Sequence, residues 1–523
     1  MSKTTQSDIN STLWAAANTF RGKIDAANYK DYILSMLFIK YLSDVFVENI
    51  EQLKLKYNDA ARLQRAIDRL PFKLKEEYTY DYLYEKRNAS DIGELINTAL
   101  RGIEDDNIAA LGGVFRSVDF NKEADLGNPQ QKRTLLRNLI EDFASLDLRP
   151  SNIEVKEGQV AADVLGDAFE YMIGEFASQA GKKAGSFFTP MMVSELMAQL
   201  VKPEIGNSIY DPTCGSGSLL IRAAKYAGVD KVSIFGQEMN GSSWGMARMN
   251  MFLHDIQDAR IMWGDSIANP LHLDSDGNLM QFDRIVANMP FSQDKWADGF
   301  NIGAEIEEKD NKKQKKFTME ASLDRYSRFE WGVPPSSKGD WAFLLHMIYS
   351  LKDNGTMIAV VPHGVLFRGA SEGRIRQRVI EENLLDAVIG LPENLFYGTS
   401  IPACLLVFKK NRTDENVLFI DASDSKYYSK DKTQNKLTKE SIELIVKTFD
   451  ERLSEDKFSY LATFDEIKEN EFNLNIPRYV DTFEEEEIID IDEVRNNIKN
   501  IKSELVEVEA QLERYLEELG LGV

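Results

Sequence analysis

The stretch Ser208-Ile-Tyr-Asp211-Pro-Thr-Cys-Gly215-Ser216-Gly217-Ser218-Leu-Leu220 decides the fold. A short apolar strand runs into an acid, a turn of small residues follows, and a helix starts near Ser218. Glycines at 215 and 217 permit positive φ and let a ligand approach the backbone closely. Asp211 falls at the carboxyl end of its strand, where open α/β sheets bind ligands. Glu238 lies 21 residues beyond Gly217 and ends the next apolar stretch, where an acid can hold ribose hydroxyls. Leu220 stands where a dinucleotide fingerprint needs its last glycine, so a nucleoside without a pyrophosphate fits better than NAD. Asp265 follows a third apolar stretch. Alone it reads as a helix N-cap. In series with Asp211 and Glu238 it reads as a partner for an adenine amino group, with Trp263 as an apolar wall.

Further along, the same grammar repeats. Candidate strands are Ser208–Tyr210, Val232–Gln237, Arg260–Trp263, Arg284–Asn288, Thr356–Pro362, Leu385–Leu391 and Ala403–Lys409, separated by helical patterns. Such alternation implies an α/β domain with a mostly parallel, doubly wound, Rossmann-like sheet. Upstream the pattern is helical. Tyr29–Val47 is apolar around most of its circumference and longer than a strand, and Asp91–Ile103, Lys132–Leu146 and Asp163–Ser178 also read as helices. Downstream, Ile491, Val494, Ile498, Ile501, Leu505, Val508, Leu512 and Tyr515 alternate three and four apart, the seam of a coiled coil. Pro150 makes a boundary. The expected organisation is a helical domain over 1–150, a catalytic α/β domain over 151–480 and a coiled-coil tail over 481–523.

Composition narrows the function. The 523 residues carry 62 Lys and Arg against 85 Asp and Glu, a net charge of −23. A chain that grips nucleic acid alone needs concentrated cations, so any such role requires a partner that supplies them. Cys214 and Cys404 are far apart, and the four histidines form no ligand pair, so no metal site is expected. No apolar run approaches membrane-spanning length, which makes a cytoplasmic location the expectation.

The sharpest chemical signal is Ile285-Val-Ala-Asn288-Met289-Pro290-Phe291-Ser292, a strand ending in Asn-x-Pro-aromatic. Asn288 offers a side-chain carbonyl. Met289, pushed toward extended geometry by Pro290, can aim its main-chain carbonyl outward, and Phe291 can stack on a flat base. Two acceptors and a π-face suit the exocyclic amino group of a nucleobase.

These residues resemble an S-adenosylmethionine-dependent amino-methyltransferase acting on DNA, and more narrowly the modification subunit of Type I restriction–modification systems. The likeness extends to Leu13-Trp-Ala-Ala-Ala-Asn, Leu165-Gly-Asp-Ala-Phe-Glu-Tyr, Gly185-Ser-Phe-Phe-Thr-Pro190, Asp340-Trp-Ala-Phe-Leu-Leu-His346 and Val361-Pro-His-Gly-Val-Leu-Phe-Arg368. The resemblance implies roles for individual residues. Ser186, Phe187, Phe188, Thr189, Pro190 and Met191 would line the methionine end of S-adenosylmethionine. Asp211 and the Gly215-Ser216-Gly217-Ser218 turn would hold its amino-acid moiety, Glu238 its ribose and Asp265 its adenine. Asn288, Met289, Pro290 and Phe291 would grip a target adenine flipped out of double-stranded DNA and methylated on N6. It also implies a DNA-reading specificity subunit, a second copy of this chain and, in some systems, a restriction subunit.

Two positions depart from the family pattern. Met289 replaces the usual second proline, and Ser186 stands where an acid is common. Competing readings keep the chemistry but move it to RNA or a protein amide, or make the chain an inactive assembly subunit marked by Met289. The Lys312–Lys316 cluster and Arg374, Arg376 and Arg378 are candidate phosphate contacts or solvated charge.

Overall fold

All seven expected strands form, and four more join them. Among the described residues the strands are β1 (Ser208–Asp211), β2 (Ser233–Glu238), β3 (Arg260–Trp263), β4 (Phe282–Asn288), β5 (Leu351–Pro362), β6 (Leu385–Gly390), β7 (Ala403–Lys409), β8 (Val417–Asp421), β9 (Tyr428–Asp431), β10 (Gln434–Leu437) and β11 (Ser459–Ala462). Nine make one sheet in the order β11-β8-β6-β7-β5-β4-β1-β2-β3, and β9 and β10 pair separately. β3, β2, β1, β4 and β5 run parallel. β7 enters antiparallel between β5 and β6, and β11 antiparallel on β8. The computed structural model describes residues 3–179, 188–300, 318–397, 399–431, 434–482 and 491–519. Ser186, Phe187 and the Lys312–Lys316 cluster lie outside them.

From β1 the chain moves outward to β2 and β3, then returns to the other side of β1 as β4. The β1/β4 junction is therefore the point where strand order reverses, the place such sheets keep for ligands. Side chains alternate across a strand, and here the alternation sorts two cores. Ile209, Ile234, Val286, Ile358 and Val360 pack with the helices Met191–Val201, Ser218–Ala227 and Lys439–Glu451 on one face. Tyr210, Phe235, Ile285, Ala287 and Met357 pack with Asp340–Tyr349 and Ala370–Glu381 on the other.

The N-terminal helices build a third core. Helix Ala26–Lys56 buries Ile33 through Ile39 and Leu42, as its apolar circumference requires. It packs with Gln6–Phe20 and Ala161–Gln179, and the same cluster takes in Met246, Met249 and Phe252 from the helix that follows β2. The expected Lys132–Leu146 helix is displaced toward its N-terminus and spans Pro129–Asp142. Asn128 caps it in a reciprocal box with Gln131, with Pro129 in the first turn, a start signal stronger than the apolar pattern.

The chain divides into two compact units, Met1–Val480 and Asp481–Val523. In the second, one helix runs over Ile491–Glu518. Its seam residues Ile498, Ile501, Leu505, Val508, Leu512 and Tyr515 are 49–63% exposed.

Candidate active site

Strand parity aims the key side chains. Asp211 shares parity with Ile209, Glu238 with Ile234 and Asn288 with Val286, so all three point to the face bearing helix Ser218–Ala227. A small pocket opens there. It is lined by Phe188, Thr189, Asp211, Thr213, Cys214, Gly215, Ser216, Ser218, Leu219 and Asn288. Seven of the residues singled out in the sequence thus meet on one surface.

The glycine turn is built by backbone geometry. Gly215 and Gly217 have φ of 54° and 78°, a region costly for residues with a Cβ. The Gly217 N–H donates to the Cys214 carbonyl at 2.7 Å. Buried Asn250 donates its amide N–H to the Ser216 carbonyl at 3.0 Å.

Two acids, Asp211 buried and Glu238 half-buried, carry the electrostatics. Asp211 is 2% exposed, and its Oδ1 accepts the Thr213 N–H at 2.8 Å. Glu238 accepts the Asn240 N–H at Oε1, 2.7 Å, and the Gly215 N–H at Oε2, 3.0 Å, tying the end of β2 to the turn after β1. Burial pushes the Asp211 carboxyl up to about 8, with the charge of Glu238 adding to it. Burial raises the Glu238 carboxyl as well. The influences on the two carboxyls are burial, nearby N–H and hydroxyl donors and, for Asp211, the charge of Glu238, so the pair suits a ligand that brings a cationic amino group and a diol. Burial lifts the Cys214 thiol well above its usual range, which suits a turn residue rather than a nucleophile.

Asp265 sits differently. Its Oδ1 accepts the Ile267 N–H at 2.8 Å and the Ala268 N–H at 3.2 Å, the capping geometry. Its Oδ2 faces Gly299, where a Cβ would lie 3.2 Å away. Trp263 does not wall that acid off: it stacks on Trp244 at 6.0 Å and donates its indole N–H to the Met239 carbonyl at 3.0 Å.

At the end of β4 the Asn288 amide donates to Thr189 Oγ at 3.1 Å, which leaves the amide oxygen to accept. Met289 has the opposite parity and is 1% exposed in the core beneath the sheet. Phe291 meets Phe396 edge-on at 5.8 Å. Pro190 caps helix Met191–Val201, and Met191, 40% exposed, stands outside the pocket because it opens that helix on its outer side.

Several supporting residues gave no chemical signal in the sequence. Arg328 is fully buried. It pairs with Asp324, donates to the carbonyls of Ser266 and Ile267, and donates to His346 Nδ1 at 3.0 Å. Burial holds His346 well below its usual range, so the neutral ring passes its Nε2–H to the Tyr210 hydroxyl at 3.0 Å. This chain braces the Asp265 loop beneath β1. Arg376, expected as a phosphate contact, is 4% exposed. It donates instead to the carbonyls of Phe472, Val365 and Arg368. Arg378 pairs with Glu382 at 2.5 Å, and Arg374 remains exposed.

No group of three His, Cys, Asp or Glu among the described residues could hold a metal ion, and no described helix is long and apolar enough to cross a membrane. Comparison with known proteins points one way. The N-6 DNA Methylase family matches residues 160–488, and the HsdM N-terminal domain matches residues 9–143. The Type I restriction enzyme MpnII methylase subunit of Mycoplasma pneumoniae is 30% identical over 98% of this chain and 96% of its own length. The MjaVIII methylase subunit of Methanocaldococcus jannaschii is 31% identical over 99% and 86%. The crystal structure of the type I restriction-modification system methyltransferase subunit from Streptococcus thermophilus superposes with a TM-score of 0.77 at 37% identity, covering 91% of this chain and 100% of that one.

Proposed function

The chain belongs to the N-6 DNA Methylase family, among the Type I restriction enzyme methylase subunits, and on that premise we propose how its pocket performs the reaction. The enzyme is an adenine-specific DNA methyltransferase that uses S-adenosylmethionine as methyl donor. The observation that carries the assignment of roles is the meeting of Asp211 and Asn288 in one pocket, with Glu238 on the same sheet face tied to its Gly215 and Thr189 fixing the Asn288 amide.

Asp211 and the Gly215–Ser218 turn hold the amino-acid end of the donor, and Glu238 holds its ribose. Two acids, one buried and one half-buried, whose described hydrogen-bond donors are nearby N–H and hydroxyl groups, beside a turn open to close approach, fit that group. Bound there, S-adenosylmethionine supplies an activated methyl group. The adenine N6 is a weak nucleophile because its lone pair is delocalised into the ring. The Asn288 amide oxygen and the Met289 main-chain carbonyl would accept hydrogen bonds from its two N–H groups, which favours a pyramidal nitrogen with a localised lone pair. Held on the Asp211 side of the pocket, the donor would supply its methyl group to that nitrogen and be left as the neutral thioether, and the amino proton that the methylated base sheds would pass to solvent. Much of the acceleration is therefore positioning. Extracting the base costs a few kcal/mol, and stacking on Phe291 returns about 1–3 kcal/mol.

A −23 charge leaves DNA to be held by others. A more basic specificity subunit reads the sequence, a second copy of this chain completes the modification enzyme, and a restriction subunit joins in some assemblies. The exposed seam on Ile498–Tyr515 is where such a partner helix packs. The assembly works in the cytoplasm, beside its DNA.

Tritiated S-adenosylmethionine offered with DNA, RNA and protein, in the presence of the DNA-reading partner, tests the reading. Label is expected in DNA as N6-methyladenine. Label confined to RNA or protein, or no binding of the donor by calorimetry, overturns it.

A further inference from the structure

We propose that Asp340, held by Arg368, is a positioning residue that fixes the Asn288–Phe291 segment in its base-accepting shape. This rests on reading that segment as the grip on adenine. The segment ends at Ser292, which adopts φ of 50° although it is not glycine. A side chain in that region is held only when its surroundings enforce it. Here the enforcing group is a carboxylate brought from 48 residues away. Asp340 Oδ1 accepts the Ser292 N–H at 2.7 Å, and Oδ2 lies 3.4 Å from the Ser292 hydroxyl.

Asp340 is 0% exposed. An ionised carboxylate in that position needs compensation. It comes from Arg368, whose guanidinium bonds Asp340 Oδ2 and also Glu372 at 2.7 Å. The neighbouring chain is clasped from the same side. Gly339 donates its N–H to the Gln293 carbonyl at 3.0 Å, Lys295 donates to Ser336 at 2.9 Å, and the Trp296 indole donates to Pro335 at 2.9 Å. Residues 335–340 thus grip 292–296, and the buried carboxylate of the grip bonds the N–H directly after the base-accepting segment. At the other end of the segment, Thr189 holds the Asn288 amide. Asp340 supplies the second fixed point, without touching the pocket.

The test uses the full chain in its DNA-methylating complex. Asp340→Asn should lower single-turnover methyl transfer about 10- to 100-fold, the worth of one charge-assisted hydrogen bond. Affinity for S-adenosylmethionine should stay within about threefold, because Asp211 and Glu238 are held independently. Adding Ser292→Gly, which removes the need for enforcement, should restore most of the lost turnover; a purely structural role for Asp340 predicts no such rescue. Ser292→Pro leaves the buried pair intact but removes the N–H and forces negative φ, and should reproduce the loss if Asp340→Asn does not fold. Turnover within twofold of the parent for either variant, or a loss that Ser292→Gly leaves unrepaired, overturns the proposal. Asn288→Ala serves as the control. If it stays active, the grip reading itself fails. If it is inactive while Asp340→Asn is not, only the positioning role fails.

Discussion

The two halves of the pocket are held in opposite ways. On the side assigned to the donor, each acid folds back on its own loop. Asp211 accepts the N–H of Thr213, Glu238 that of Asn240 and Asp265 that of Ile267, each two residues on and at 2.7–2.8 Å. On the β4 side every restraint comes from afar: Thr189 to Asn288, Asp340 to Ser292 and Phe396 to Phe291. The donor side starts from these local contacts, to which the Gly215 N–H on Glu238 and the Asn250 amide on the Ser216 carbonyl add longer ties. The base side takes its shape only once distant parts of the fold are in place.

The sharpest break in this comparison is Asn288→Ala. Turnover should fall by about 10²–10³, as when one preorganised hydrogen-bonding group is removed from a reacting centre, while donor affinity changes less than about threefold. Equal loss of both, measured by methyl transfer and calorimetry, would mean the halves are one unit.

Asp211→Asn attacks the other half and should weaken donor binding about 10- to 100-fold. It carries a pH signature too. The free enzyme holds the Asp211 carboxyl up at about 8 through burial, whereas an unfolded chain titrates it near 3.8. Between those values the folded state binds more protons, so this group's contribution to stability falls as pH rises from about 4 to about 8. Asp211→Asn should therefore melt with the parent at low pH and at least ~2 °C above it at pH 8.5. A cationic ligand should expel the proton, so donor affinity in the parent should rise toward pH 8, with heats that depend on the buffer. Melting curves and calorimetry in two buffers check both.

Smaller effects sharpen the contrast. Phe291→Leu removes a stacking face and should raise KM for DNA about tenfold, with donor binding unchanged. Met289→Leu, nearly volume-conserving in the core, should cost less than ~1.5 kcal/mol of stability and leave turnover within about twofold. A large loss of turnover there would give the Met289 side chain a chemical role.

The same division explains what was legible in the amino-acid sequence. The strand, glycine turn and helix around Asp211, and the acid ending β2, are short-range patterns and read directly. The antiparallel entry of β7 does not: Ala403–Phe408 is buried on both faces, and an apolar run of that kind looks alike in either direction. Arg376 reads as surface charge beside Arg374 and Arg378, yet its burial depends on carbonyls as far away as Phe472. Arg328 lies in a polar, pattern-poor stretch, and only the folded chain brings it against Ser266, Ile267 and His346. Asp340 stands in a block that resembles the family but offers no spacing from which a contact to Ser292 follows.

Alternation along β4 also places neighbouring letters of Asn-Met-Pro-Phe in two different environments. Asn288 faces the pocket, while Met289 turns its side chain to the sheet's other face and packs in the hydrophobic interior. What the residue 289 side chain must match is therefore the shape of that core, not the pocket. A proline or a methionine at 289 is on this geometry a choice of core packing, made one residue away from a side chain that faces the pocket.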